Sequence, residues 1–139
     1  MTALDDAVRR TIEGLSWERP CLVWVADYLR DETGRDFAAE WRGVGWTEPR
    51  SRRELARLAL GGNGKTQVER AIDAMARRHG WPQVQENRQG AILIGVFNGA
   101  APNGSPAIFD GESRWILGIM GGGMATTGAM PDRAWEIAR

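Results

Sequence analysis

Three places in the 139-residue sequence hold residue types that could do chemistry. The first is Cys21, the one cysteine of the chain. Pro20-Cys21 reads as the first turn of a helix, where a thiol feels the positive end of the helix dipole and its thiolate is favoured. With a histidine in reach, such a thiol is a nucleophile for acyl transfer. The other reading of Cys21 is a small buried hydrophobe, the usual fate of a free cysteine. The second place is His79, the one histidine, at the end of a helical segment before Gly80-Trp81. It is a candidate base for Cys21 if the two meet, and otherwise caps helix carbonyls or stands exposed. The third is Ala59-Leu60-Gly61-Gly62-Asn63-Gly64-Lys65-Thr66, a relaxed match to a phosphate-binding loop. That loop works when it joins a buried strand to a helix and its backbone N–H groups cradle phosphates. Here the preceding Arg52 to Leu60 is charged and helical, the first glycine of the motif is Ala59, and no parallel strand pattern follows. A glycine turn between two helices accounts for the segment better.

Those residues depend on the elements that carry them. Leu4, Val8, Ile12 and Leu15 recur at helical spacing, which predicts a helix over 4–15. Cys21 to Thr33 is apolar nearly all round in its first half, the mark of a buried helix, and Gly34 stops it. A short charged helix is expected over 52–60. Another is expected from Thr66 to His79, with Val68, Ile72, Met75 and Ala76 on one face and arginines opposite. Gly80 and Pro82 end that helix. Composition then shifts: residues 41–88 hold ten basic and five acidic side chains, whereas 89–139 hold three and four. The later part is glycine-rich and carries β-forming runs at Ala91–Phe97, Ala107–Phe109 and Trp115–Ile119, with a last short strand or turn at Arg133–Ile137. Helices first and strands afterwards predict an α+β domain with an antiparallel sheet. The expectation is one domain over 1–139, helical to about residue 82 and strand-rich from about 88.

Composition narrows the function classes. Hydrophobic residues make up 42% and charged residues 26%, which excludes a disordered or collagen-like chain. Eighteen basic and eighteen acidic side chains cancel, which argues against a nucleic-acid binder. One cysteine excludes an internal disulfide and any multi-cysteine zinc site, so neither a metal nor another cofactor is expected. No apolar run reaches membrane-spanning length, and the acidic start Met1 to Asp6 lacks the pattern of a signal peptide, so no membrane role and synthesis in the cytoplasm are expected. Seven tryptophans is a high number, and tryptophan serves both cores and interfaces. Trp24 belongs to the apolar helix and is assigned to the core. Trp41, Trp46 and Trp81 lie in turn-rich segments, so they and Arg42 are the interface candidates, with Arg50, Arg52 and Arg53 nearby. The competing reading folds all three tryptophans inward. Seventeen of the eighteen basic residues are arginine, with Lys65 the exception; this suits bidentate contacts and equally reflects a GC-rich genome.

Trp17, Cys21, Ala26-Asp27, Thr33-Gly34-Arg35-Asp36 and Trp41-Arg42-Gly43 together resemble the N-terminal signature of a phage and prophage domain family of unknown function. That family is distantly related to NlpC-type, papain-like cell-wall cysteine peptidases. Gly90 to Phe97, Leu117-Gly118-Ile119 and Ala134-Trp135-Glu136-Ile137 continue the resemblance, which spans about Arg9 to Ile137 and is strongest over 17–43. It implies a degenerate papain/NlpC-like fold, with N-terminal helices packed on a small antiparallel sheet and Cys21 as a vestigial or candidate nucleophile. The departures fall on the catalytic positions. Pro20 stands where the peptidases carry an aspartate, and Gly90-Ala91 where they carry Gly-Asp. Ile116, or Leu93 in another alignment, stands where they carry the base histidine.

The resemblance implies a structural component of a phage or prophage tail, at or near the tail tip. The domain would be catalytically degenerate, resident in the virion, and in contact with other tail proteins of the distal-tail or hub type. The alternative is an active cell-wall peptidase or amidase that acts on peptidoglycan through Cys21, with His79 or an unrecognised residue as its base.

Overall fold

A computed structural model describes residues 21–37, 62–101, 104–119 and 123–138. The expected helices over 4–15 and 52–60 lie outside the described residues. Within them, two helices precede six strands: α1 (Cys21–Thr33), α2 (Gln67–His79), β1 (Gln83–Val84), β2 (Ile92–Phe97), β3 (Ser105–Phe109), β4 (Trp115–Ile119), β5 (Gly123–Thr127) and β6 (Arg133–Ile137). The fold class is α+β, as the order of patterns in the sequence predicts.

Both helices begin and end close to where the sequence says they should. From Trp24 to Leu29 every residue of α1 is buried, Asp27 among them, as expected of a helix that is apolar nearly all round in its first half. α2 is amphipathic: Val68, Ala71, Ile72, Met75 and Ala76 are buried and its arginines face out. Thr66 caps its N-terminus, and Gly80, at φ 72°, closes its C-terminus in the left-handed conformation that glycine adopts without penalty. Each helix packs on the sheet over β3.

The sheet is antiparallel throughout, in the order β1-β6-β2-β3-β4-β5. Its two faces carry different cores. Ile92, Ile94, Val96, Ile108, Ile116, Trp135 and Ile137 join the residues of α1 and α2 in one cluster. Leu93, Ala107, Phe109, Trp115, Leu117 and Ala134 form a second cluster on the opposite face. Because both faces are covered, β2 and β3 are buried along nearly their whole length and read as continuous apolar runs instead of alternating ones.

The link from β5 to β6 shows how the second face is covered. β5 is the outermost strand on one side, and β6 lies four strand spacings away. By register, Thr127 and Arg133 are also about three residues apart along the strands. In a flat sheet those offsets of about 19 Å and 10 Å combine to about 22 Å, at the limit of what six peptide steps of about 3.5 Å can reach. The Thr127 hydroxyl also accepts from the Ala129 N–H at 3.1 Å, which folds the start of the link and shortens it. The sheet is therefore coiled, and the link crosses its concave side. Pro131 is buried there against Gly95, where an added Cβ would meet Pro131 Cγ at 2.6 Å. Ala134 and Ala107 flank Gly95 in register, so three small residues on adjacent strands leave the room that the link occupies.

Candidate functional site

Cys21 is the first residue of α1. The sheet face beneath the helices is the apolar cluster described above, and Ile116 belongs to it at 6% exposure. Leu93 is buried on the opposite face of the sheet. Both positions that the resemblance assigns to a base histidine therefore hold packed aliphatic side chains.

His79 ends α2 and is exposed. Its ring stacks on Trp81 with centroids 5.5 Å apart and meets the edge of Phe37 at 4.7 Å. Phe37 lies four residues beyond the last residue of α1, and Cys21 opens that helix about 20 Å away along its axis. These contacts tie His79 to the segment that follows the C-terminal end of α1. Trp81 completes the aromatic group, with its ring 4.9 Å from Phe37. At 8% exposure Trp81 is part of the core, which corrects its expected place at an interface: Gly80 turns the chain so that the indole packs back over Phe37. Trp41, Arg42 and Trp46, with Arg50, Arg52 and Arg53, lie outside the described residues.

The Gly62–Thr66 segment has a different use from the one its motif suggests. The Thr66 hydroxyl accepts from the Glu69 N–H at 3.2 Å, and the Glu69 carboxylate accepts from the Lys65 N–H. Thr66-Gln67-Val68-Glu69 is thus a variant of the capping box, with the glutamate reaching one residue further back. A phosphate cradle needs those N–H groups free for a ligand, and here the chain's own carboxylate and hydroxyl take two of them. The loop is a helix cap.

That cap opens onto a polar cluster between α2, the end of β2 and the start of β6. Glu69 and Asp73, one turn apart on the inward face of α2, are each 3% exposed. Arg133 of β6 stands against both. It donates to the Asp73 carboxylate, to the Asn63 carbonyl at 2.5 Å and to the Gln83 side-chain carbonyl at 3.1 Å, and it lies 3.8 Å from Glu69 Oε1. Its guanidinium also covers the Trp135 ring, 4.8 Å from the centroid. Asn98 donates through its amide nitrogen to Glu69 at 3.2 Å and accepts from the Thr66 hydroxyl at 2.8 Å. Burial by itself would raise the pKa of Asp73. The Asn63 N–H at 2.8 Å, the Arg133 guanidinium and the charge of Arg77 more than offset this, and the carboxyl titrates below its ordinary range.

This cluster is the most heavily polar buried region of the described residues, and the sequence reading passed over it. A capping-box spacing at Thr66 and Glu69, with two carboxylates at i and i+4 on an apolar face, was the available signal. Its chemistry is that of an anchor. Asp73 is held ionised by its donors, so it serves as an acceptor and not as an acid. Among the described residues, no group of three or more histidine, cysteine or acidic side chains is placed to hold a metal ion. No helix among them is long and apolar enough to cross a membrane.

Comparison of the chain with family models, with curated proteins and with solved structures finds no match.

Proposed function

We propose that this chain is a structural component of a phage or prophage tail, at or near the tail tip, built on a catalytically degenerate papain/NlpC-like domain. It would reside in the virion and dock on other tail proteins of the distal-tail or hub type. The observation that carries the reading is the seam between the helices and the sheet. α1, opened by Cys21, lies on an antiparallel sheet, the general arrangement of a cysteine peptidase of this type. The sheet positions aligned with the base hold Ile116 and Leu93, both buried in apolar clusters. Neither side chain can accept a proton, and general-base help is worth about 10²–10⁴-fold in rate. His79 is engaged with Phe37 and Trp81.

Two measurements test the proposal. Purified protein incubated with peptidoglycan and its stem peptides should release no more product than a Cys21→Ala variant. Hydrolysis that depends on Cys21 would replace this reading with the active peptidase. Mass spectrometry of purified particles from the encoding phage or induced prophage should find the chain in the tail fraction, and its absence there would remove the virion assignment.

A further inference from the structure

We propose that the outward face of α2 is a docking surface for an acidic segment of a partner protein. The inference rests on the reading above that the chain works by docking on other proteins, and it names the chemistry of the partner. On α2 both carboxylates, Glu69 and Asp73, point inward and are buried, whereas Arg70, Arg77 and Arg78 are exposed. At 100° per residue these three arginines fall within an arc of about 100°, spread over about 12 Å of helix. Lys65, exposed just before the helix, extends the same charge. Among the described residues of α2, no acidic side chain falls within that arc.

Two of these guanidiniums are already held in place. Arg70 Nε donates to the Gly64 carbonyl at 2.7 Å, and Arg77 Nε lies 3.0 Å from Asp73 Oδ2. Both side chains are exposed, and each anchor engages the Nε and not the paired terminal nitrogens. That pair is the fork that binds a carboxylate through two parallel hydrogen bonds, and an anchored arginine loses less freedom when it does so. Arg78 makes no side-chain hydrogen bond or ion pair with the described residues. A nucleic acid would find the same charges, but the overall balance speaks against it: the chain is neutral, with a pI near 6.6. A patch of three arginines on one short helix is small beside the basic footprint of a nucleic-acid domain.

The test uses the full chain and a fluorescein-labelled helical peptide with glutamate at positions i, i+1 and i+8, followed by fluorescence anisotropy at low ionic strength. A glutamine version of the peptide and a short duplex DNA are the parallel probes. The glutamate peptide should bind, its glutamine version should not, and Arg78→Glu should weaken binding about tenfold or more. Arg78→Lys, which keeps the charge and loses the fork, should fall between the two. The melting temperature of Arg78→Glu should fall by no more than a few degrees, because Arg78 makes no side-chain bond and contributes only its charge in the last turn of α2. Equal binding of both peptides, indifference to Arg78→Glu, or tighter binding of the DNA would overturn the proposal. So would normal entry of the Arg78→Glu chain into particles. Absence of the unaltered chain from particles bears on the tail reading alone and leaves the peptide result to stand by itself.

Discussion

Replacing Arg133 by methionine removes the guanidinium that faces two buried carboxylates, leaving Asp73 to Asn63 and Arg77 and Glu69 to Lys65 and Asn98. Methionine keeps much of the bulk over Trp135 but donates nothing to Asp73, Asn63, Gln83 or Glu69. Removing one partner from a buried ion pair costs about 3–5 kcal/mol, because the remaining charge stays desolvated. Arg133 is 21% exposed, so water can reach part of the vacated site, and the lower end, about 3 kcal/mol, is the expected cost. For a chain of this length that lowers the melting temperature by roughly 10 °C, or the urea midpoint by roughly 1.5 M. The pH dependence carries the mechanism. In the unaltered protein the folded-state pKa of Asp73 lies below its ordinary value of 3.8, so its contribution is fully present above that value. It is lost as pH falls through the lower folded-state pKa. Without Arg133, burial acts against fewer compensating donors and the pKa of Asp73 rises. The variant's deficit should therefore be widest near neutral pH and should narrow as the carboxyl is protonated in acid. Urea titrations at a series of pH values read both quantities. A loss below about 1 kcal/mol, or one independent of pH, would refute the idea that Arg133 neutralises buried charge here.

Two further substitutions test other parts of the framework. Gly95→Ala should cost about 1–3 kcal/mol in urea unfolding, because the new methyl meets Pro131 on the concave side of the sheet and the Arg133 carbonyl at 3.0 Å. A neutral result would mean that the β5–β6 link is free to move aside. Thr66→Ala should cost about 1–2 kcal/mol, since it removes the acceptor for the Glu69 N–H and the donor to Asn98 together. Circular dichroism melting would register it, and an unchanged melting curve would show that the cap does not hold α2.

The fold was legible where one period dominated a segment. The 3.6-residue spacing of Val68, Ile72, Met75 and Ala76 and the unbroken apolar stretch after Cys21 predicted both described helices to within a residue. β2 and β4 were equally clear, because apolar runs bounded by glycine, asparagine and aspartate have few other uses; Arg133–Ile137 was open between strand and turn and is β6. β5 was missed. Gly123-Met124-Ala125-Thr126-Thr127 follows a run of glycines and has no strong preference of its own; it is a strand because β4 pairs with it from Trp115 to Ile119. β3 begins two residues earlier than expected. Pro106 looked like a boundary, yet it pairs with Val96 and sits one residue before the described pairing with β4 begins, where a missing N–H costs little. The tryptophan question was open in the sequence and is settled for the described residues: Trp24, Trp81, Trp115 and Trp135 are all buried.

The polar cluster was half legible, and the missing half is an arginine from a distant strand. Thr66, Glu69 and Asp73 are near neighbours in sequence, so their spacing on α2 could be read. Arg133 lies sixty residues beyond Asp73, and nothing local marks it as their partner. The structure joins them because β6 pairs with β2 in a register that sets Arg133 opposite Val96, next to the end of the strand from which Asn98 reaches Glu69. At that spot one side chain must serve two carboxylates, a backbone carbonyl and an amide oxygen that lie in different directions. A guanidinium has five donors in a fixed plane and can do so, whereas an ammonium would have to choose among them. The same property appears on the outer side of α2, where Arg70 and Arg77 are each tied to the fold through the Nε. Arginine thus has a structural use on both sides of one helix: half-buried, Arg133 fixes the helix to the sheet, and exposed, Arg70 and Arg77 are held to the helix and its cap through one nitrogen each.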